Sequence, residues 1–209
     1  PDSGCGSWLL EPQSTNLITY SEDFSEWNRV QDTTLSSDTS VKNPDGTNST
    51  KLTKNSNNVA IISDDAIPIS AGATYAFSFF VKKGNYDTLG IEVGSGSNNV
   101  NASYTFSTDS FTTNQSGTQT FISANSVSFL NGWKRISIVF TGSITSINAT
   151  LFVGGGLNDY VYYYGAQLEQ QSYATSYIPT NGATNTRLQD IATNSGNSTL
   201  INSTEGVLY

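Results

Sequence analysis

Histidine and methionine are absent from the 209 residues, cysteine occurs once, and lysine plus arginine number only 9. Without histidine the chain lacks the usual general base and the commonest transition-metal ligand. A single thiol, Cys5, can form neither an internal disulfide nor a zinc site. Against 17 acidic residues the basic ones leave a formal net charge of −8. Binding to nucleic acid needs clustered Lys and Arg, so no nucleic-acid partner is expected. No apolar run approaches the roughly 18 residues of a membrane-spanning helix, and no membrane insertion is expected. Charged residues make up 12% of the chain, about half the usual share.

The chain is instead rich in Ser, Thr, Asn and Gly, with 18 glycines and 11% aromatic residues. That mixture suits an all-β binding module better than an enzyme. The opening, Pro1-Asp2-Ser3-Gly4-Cys5-Gly6, has no start methionine, basic region or apolar stretch, and reads as a cut from a longer chain.

Strand-like runs recur between turn-rich spacers. In Tyr75-Ala76-Phe77-Ser78-Phe79-Phe80-Val81-Lys82, the residues Tyr75, Phe77, Phe79 and Val81 share one face. Leu89, Ile91 and Val93 repeat that alternation, and further strands are expected at 59–63, 101–106, 119–123, 134–140, 149–153 and 160–168. Asn43-Pro44-Asp45-Gly46, Ser70-Ala71-Gly72, Lys83-Gly84-Asn85 and Asn131-Gly132 supply turn geometry between them. Eight or nine short strands at this spacing predict an all-β, two-sheet antiparallel β-sandwich of jelly-roll type. The expected organisation is a lead-in strand over 1–15, the sandwich over 16–179, and a linker with the start of a following domain over 180–209.

Several segments resemble a known family. Asn16-Leu17-Ile18-Thr19-Tyr20-Ser21-Glu22-Asp23-Phe24-Ser25-Glu26-Trp27 resembles the opening of a jelly-roll carbohydrate-binding-type module. That module is found in bacteriophage tail proteins and in secreted polysaccharide-degrading enzymes of marine bacteria. Trp8-Leu9-Leu10-Glu11-Pro12-Gln13 is similar to the lead-in of phage versions. Asn131-Gly132-Trp133-Lys134-Arg135-Ile136-Ser137 resembles the family's Gly-Trp-aromatic-Arg strand, with Lys134 in place of the aromatic. Tyr164-Gly165-Ala166-Gln167-Leu168-Glu169 followed by Ala174-Thr175-Ser176-Tyr177-Ile178-Pro179-Thr180 carries its most specific signature, and the resemblance covers residues 8–190. It implies a non-catalytic module attaching a multidomain parent to a polysaccharide or cell-surface glycan, secreted or virion-borne. It also implies a structural Ca²⁺ near the N-terminal segment, where Glu22, Asp23 and Glu26 lie. The alternative for Asp23 is a turn cap.

A sugar site needs a flat aromatic face with amide, carboxylate and guanidinium groups around it. Taking Leu168 as inward puts Tyr162 and Tyr164 in the core and Tyr163 outside. The outward set is then Phe80, Lys82, Glu92, Trp133, Arg135, Tyr163 and Gln167, with Tyr86 the best edge-loop candidate. Four of them have a structural alternative: Trp133 packing at the sandwich edge, Arg135 pairing with Glu92 or Glu169, and Phe80 and Tyr163 covered by a loop or subunit. The net charge favours neutral glycans. Two rival functions remain at this level. One is a phage tail structural or receptor-adhesion domain, with homo-oligomers possible. The other is a polysaccharide lyase or glycosidase using Glu92 with Glu169, or Tyr163 with Arg135.

Overall fold

A computed structural model of the chain describes residues 10–191. Residues 1–9 and 192–209, which include Cys5, Trp8 and most of the expected linker, lie outside the described residues. In chain order the strands are β1 (Ser14–Asn16), β2 (Arg29–Gln31), β3 (Thr33–Lys42), β4 (Asn48–Lys54), β5 (Ala60–Pro68), β6 (Thr74–Lys83) and β7 (Thr88–Ser95). They continue with β8 (Asn98–Thr105), β9 (Ser110–Ser116), β10 (Thr120–Ser128), β11 (Trp133–Thr141), β12 (Ser146–Val153), β13 (Tyr160–Glu169) and β14 (Asn185–Arg187). Two single-turn 3₁₀ segments, Phe24–Glu26 and Leu130–Gly132, complete the regular structure. No helix among the described residues is long and apolar enough to cross a membrane.

Twelve of the strands form two six-stranded antiparallel sheets packed face to face, and β1 and β14 form a separate pair. Sheet I runs β10-β11-β6-β13-β4-β3 and sheet II runs β2-β5-β12-β7-β8-β9. The chain crosses repeatedly from one sheet to the other, so most neighbours in a sheet are distant in sequence. This is the predicted β-sandwich. Alternation explains it directly: Phe77, Phe79 and Val81 of β6 and Ile136, Ile138 and Phe140 of β11 face Leu89, Ile91 and Val93 of β7 and Leu151 and Val153 of β12, all essentially buried. Each such side chain contributes about 1.5–3 kcal/mol on burial.

Strands β2, β3, β4, β9 and β14 fall outside the strands expected from the sequence. Ser110–Ser116 is almost wholly exposed and polar, and Thr33–Lys42 is largely so. Both lie at sheet edges, where one side of the strand faces water and little hydrophobic alternation develops.

One backbone irregularity reassigns a predicted face. Between β6 and β13, Tyr164 is opposite Phe80 and Gln167 is opposite Ser78, so β13 advances three residues while β6 advances two. Gly165 takes φ +62° at this bulge. An extra residue reverses which face the following side chains occupy. Leu168 therefore points inward as expected, and Tyr163, on the other side of the bulge, points inward as well and is fully buried. The expectation that Tyr163 faces outward is corrected, and Tyr162 and Tyr164 move to the outer face.

At the ends, β1 pairs with β14, Ser14 opposite Arg187 and Asn16 opposite Asn185. Arg187 also forms an ion pair with the buried carboxylate of Glu11. The first residues of the expected linker thus run back along the N-terminal segment.

Candidate functional site

The outer face of sheet I holds Trp133, Arg135, Phe80, Lys82 and Gln167, as alternation predicts. Much of it is roofed. Phe80, Trp133, Tyr162 and Tyr164 form a second apolar cluster, against which Val41 and Tyr177 pack. Trp133 is 1% exposed and donates Nε1–H to the carbonyl of Lys42 at 2.7 Å. Phe80 is also buried, lying edge-on to Phe129 and Tyr177 at 5.0 and 5.9 Å. Neither ring offers a free face to a ligand, and their candidacy as sugar platforms is corrected. The physical reason is the end of the β3–β4 hairpin and the 170–179 segment, which fold over them.

Gln167 is likewise buried: its amide donates to Glu169 Oε1 at 2.6 Å and accepts from Ile178 N at 2.7 Å. Glu169 is fully buried and also accepts from Ser14 Oγ, Thr175 N and Thr175 Oγ1 at 2.6–2.9 Å. These bonds tie the terminal segments to β13. Lys82 donates to the Asn131 carbonyl at 2.7 Å. Tyr86 is half-buried against the core, closing over the Gly154-Gly155 turn.

Glu92 is not with this group. It sits on the outer face of sheet II, on the far side of a sandwich about 10 Å thick between sheets. The expected outward set is therefore split between two faces. By the same placement neither catalytic pair is assembled: Glu92 and Glu169 lie on opposite outer faces, and Tyr163 is in the core while Arg135 is outside.

The sheet II face is built from cross-strand rungs. One rung runs Arg29, Ser63, Thr150, Glu92, Asn101 and Asn114 across six strands. The adjacent rung runs Gln31, Ile61, Phe152, Gly90, Ser103 and Thr112. At about 4.8 Å per strand each spans roughly 24 Å. A Cβ built on Gly90 would lie 3.0 Å from Phe152 Cβ and 3.2 Å from its Cδ2. The Phe152 ring therefore occupies the space above Gly90, room that only a missing side chain leaves. Gly90, Asn101, Ser103, Thr112, Asn114 and Phe152 line a shallow depression of about 260 Å³.

Glu92, half-buried, flanks this depression on the rung of Asn101 and Asn114, one rung from Phe152 and Gly90. Burial pushes its carboxyl above the ordinary glutamate value, an effect opposed by the positive field of Arg29. Phe152 escaped the sequence reading. In Ala149-Thr150-Leu151-Phe152-Val153 it alternates outward, but its significance depends on Gly90, 62 positions earlier on the neighbouring strand.

The carboxylates implied for calcium are engaged separately. Glu22 Oε1 accepts from the hydroxyls of Tyr164 and Tyr177 at 3.1 and 3.0 Å. Asp23 Oδ1 accepts from Ser25 N at 3.1 Å, capping the first 3₁₀ turn, which is the alternative role foreseen for it. Glu26 is exposed. No three His, Cys, Asp or Glu side chains gather into a metal-holding group among the described residues.

No protein-family model matches the chain, and no curated protein sequence matches it. Among solved structures, it is similar to the CBM22-1–GH10 modules of a Clostridium thermocellum endo-1,4-β-D-xylanase complexed with xylohexaose. That match has 18% identity and a TM-score of 0.46, and covers 81% of this chain and 30% of the other. It is also similar to the enzymatically active domain of tailspike protein 4 of bacteriophage CBA120, at 12% identity and TM-score 0.46, covering 73% of this chain and 21% of that one. A third is TmCBM61 in complex with β-1,4-galactotriose, at 15% identity and TM-score 0.42, covering 75% of this chain and 99% of the other. The chain thus spans less than a third of the first two structures.

Proposed function

We propose that the chain is a non-catalytic carbohydrate-binding module that attaches a larger secreted or virion-borne parent to a neutral polysaccharide, and that the sugar lies on the outer face of sheet II. The observation that carries this reading is the Phe152 ring laid over Gly90 beside the half-buried Glu92. An aromatic ring lying along a sheet can stack on the apolar face of a pyranose at low entropic cost. Glu92 has an oxygen pair available to accept sugar hydroxyls, and Asn101 and Asn114 continue the same polar rung along one wall of the depression. The benefit to the parent is local concentration of polysaccharide rather than bond cleavage.

A glycan array of neutral polysaccharides, followed by calorimetric titration of each hit, tests this. Phe152→Ala should weaken binding by about tenfold, or ~1.4 kcal/mol, and Glu92→Gln by a similar factor, with both variants folded. Binding unchanged in both would remove the sheet II face from consideration. No binding to any glycan would overturn the carbohydrate reading and leave a structural or adhesion domain of a phage tail as the better account.

A further inference from the structure

The outer face of sheet I is not roofed throughout. Beyond the aromatic cluster, β10 and β11 and the 172–174 segment enclose a groove of about 370 Å³, within the size range of small-molecule sites. Its floor carries Arg135, Ser137, Ser123 and Asn125, and its lining includes Phe129 and Tyr173, which are 43% and 46% exposed. Tyr173 belongs to neither apolar cluster of the core.

Arg135 is the unusual member. Its guanidinium is largely desolvated, lies 5.4 Å from the centre of the Phe80 ring, and donates from Nη2 to Ser78 Oγ at 2.9 Å. Its Nε–H is buried without a partner, and among the described residues it forms no ion pair. A partly buried charge without a bonded counter-ion is costly. Glu169 is near enough for its field to act on Arg135. Its two oxygens, however, are already bonded to Ser14, Gln167 and Thr175. The nearby anion therefore balances the charge without occupying the guanidinium's fork.

We propose that this groove is a second binding site, separate from the sheet II face, that receives a carboxylate-bearing sugar residue on Arg135. A carboxylate matches the planar donor fork and binds it with charge assistance. Ser123, Ser137 and Asn125 supply hydroxyl and amide groups for the ring hydroxyls, and Tyr173 and Phe129 supply apolar surface. Local complementarity of this kind overrides the general repulsion expected from the net charge of −8.

The test uses oligosaccharides containing galacturonate, glucuronate, mannuronate or N-acetylneuraminate, each paired with its methyl ester, titrated against the intact protein. At least one acid should bind, and its ester about tenfold more weakly or worse. Arg135→Gln should abolish the difference. Arg135→Lys, which keeps the charge without the fork, and Tyr173→Ala on the exposed rim should each weaken the acid while thermal unfolding shows the fold retained. Phe152→Ala, which removes the other proposed site, should leave acid binding in place. Equal binding of acid and ester, or loss of acid binding in Phe152→Ala, overturns the proposal. If neutral glycans bind and no acid does, only this proposal falls; if nothing binds, both functional readings fall.

Discussion

Replacing Gly165 by alanine probes the bulge that decides which tyrosines of β13 enter the core. Gly165 has φ +62°, a conformation that costs a residue with a Cβ about 1–2 kcal/mol. Its added methyl would also lie 3.0 Å from Phe80 Cδ2 and 3.1 and 3.2 Å from Tyr177 Cζ and Cε2. Those rings cannot easily step aside: Phe80 is buried, and the Tyr177 hydroxyl is bonded to Ser21 Oγ at 2.6 Å and Glu22 Oε1 at 3.0 Å. Overpacking of this kind costs about 1–3 kcal/mol, so the combined loss is ~3 kcal/mol. Gly72→Ala is the control, because Gly72 has φ +84° and nothing within 4 Å of its built Cβ. It should lose only the conformational part, about 1 kcal/mol. In a domain of this size 1 kcal/mol corresponds to about 2–4 °C in Tm. Calorimetry should therefore show Gly165→Ala melting about 6–12 °C lower and Gly72→Ala about 2–4 °C lower. Urea unfolding should show a shifted midpoint with an unchanged slope. If the two variants fall within about 0.5 kcal/mol of each other, the two rings do not pin the bulge and the packing argument is wrong.

Other consequences can be measured on the same protein. Gly90→Ala should keep the fold, because Phe152 lies on an outer face and can swing outward, yet weaken glycan binding by about tenfold; unchanged affinity in a titration would show that the ring's position over Gly90 is irrelevant. Trp133→Phe should cost ~2 kcal/mol through the orphaned Lys42 carbonyl and lost volume, with glycan affinity unaffected; a stable variant with weakened binding would return Trp133 to the ligand site. Glycan binding should decline as pH falls through the titration of Glu92, with a midpoint above the ordinary value of 4.5 because burial raises it, and the decline should vanish in Glu92→Gln. Asp64 is pushed up to about 6 by burial and by neighbouring Asp65, so its ionisation costs the folded state more than the unfolded one. Stability should therefore fall as pH rises from about 4 to 6, and Asp64→Asn should be more stable at pH 7 by ~1 kcal/mol after allowance for solvent screening. The two proteins should converge below pH 4, and urea midpoints that differ equally at both pH values would contradict the assignment.

Local alternation in the sequence specifies the fold class and the buried faces of β6, β7 and β11. Strict alternation in Tyr75–Lys82, Leu89–Val93 and Lys134–Phe140 reports one buried face per strand, and that information is local. Edge strands such as Ser110–Ser116 were invisible because a strand with both faces near water has no reason to alternate. Alternation also says only that a residue points away from the core. It cannot say which of two outer faces receives it, so Glu92 was grouped with Arg135 although a whole sandwich separates them. Nor does it survive an inserted residue: Gly165 permits a bulge, and Tyr163 passes from the outside to the core. Whether an outward ring is free or roofed depends on segments remote in the chain, as Lys42 over Trp133 and Tyr177 over Phe80 show. Phe152 gains its place above Gly90 only when β12 and β7 pair. Those decisions belong to the tertiary structure, because each depends on contacts between residues tens of positions apart, while the alternation that specifies the sandwich repeats every two residues.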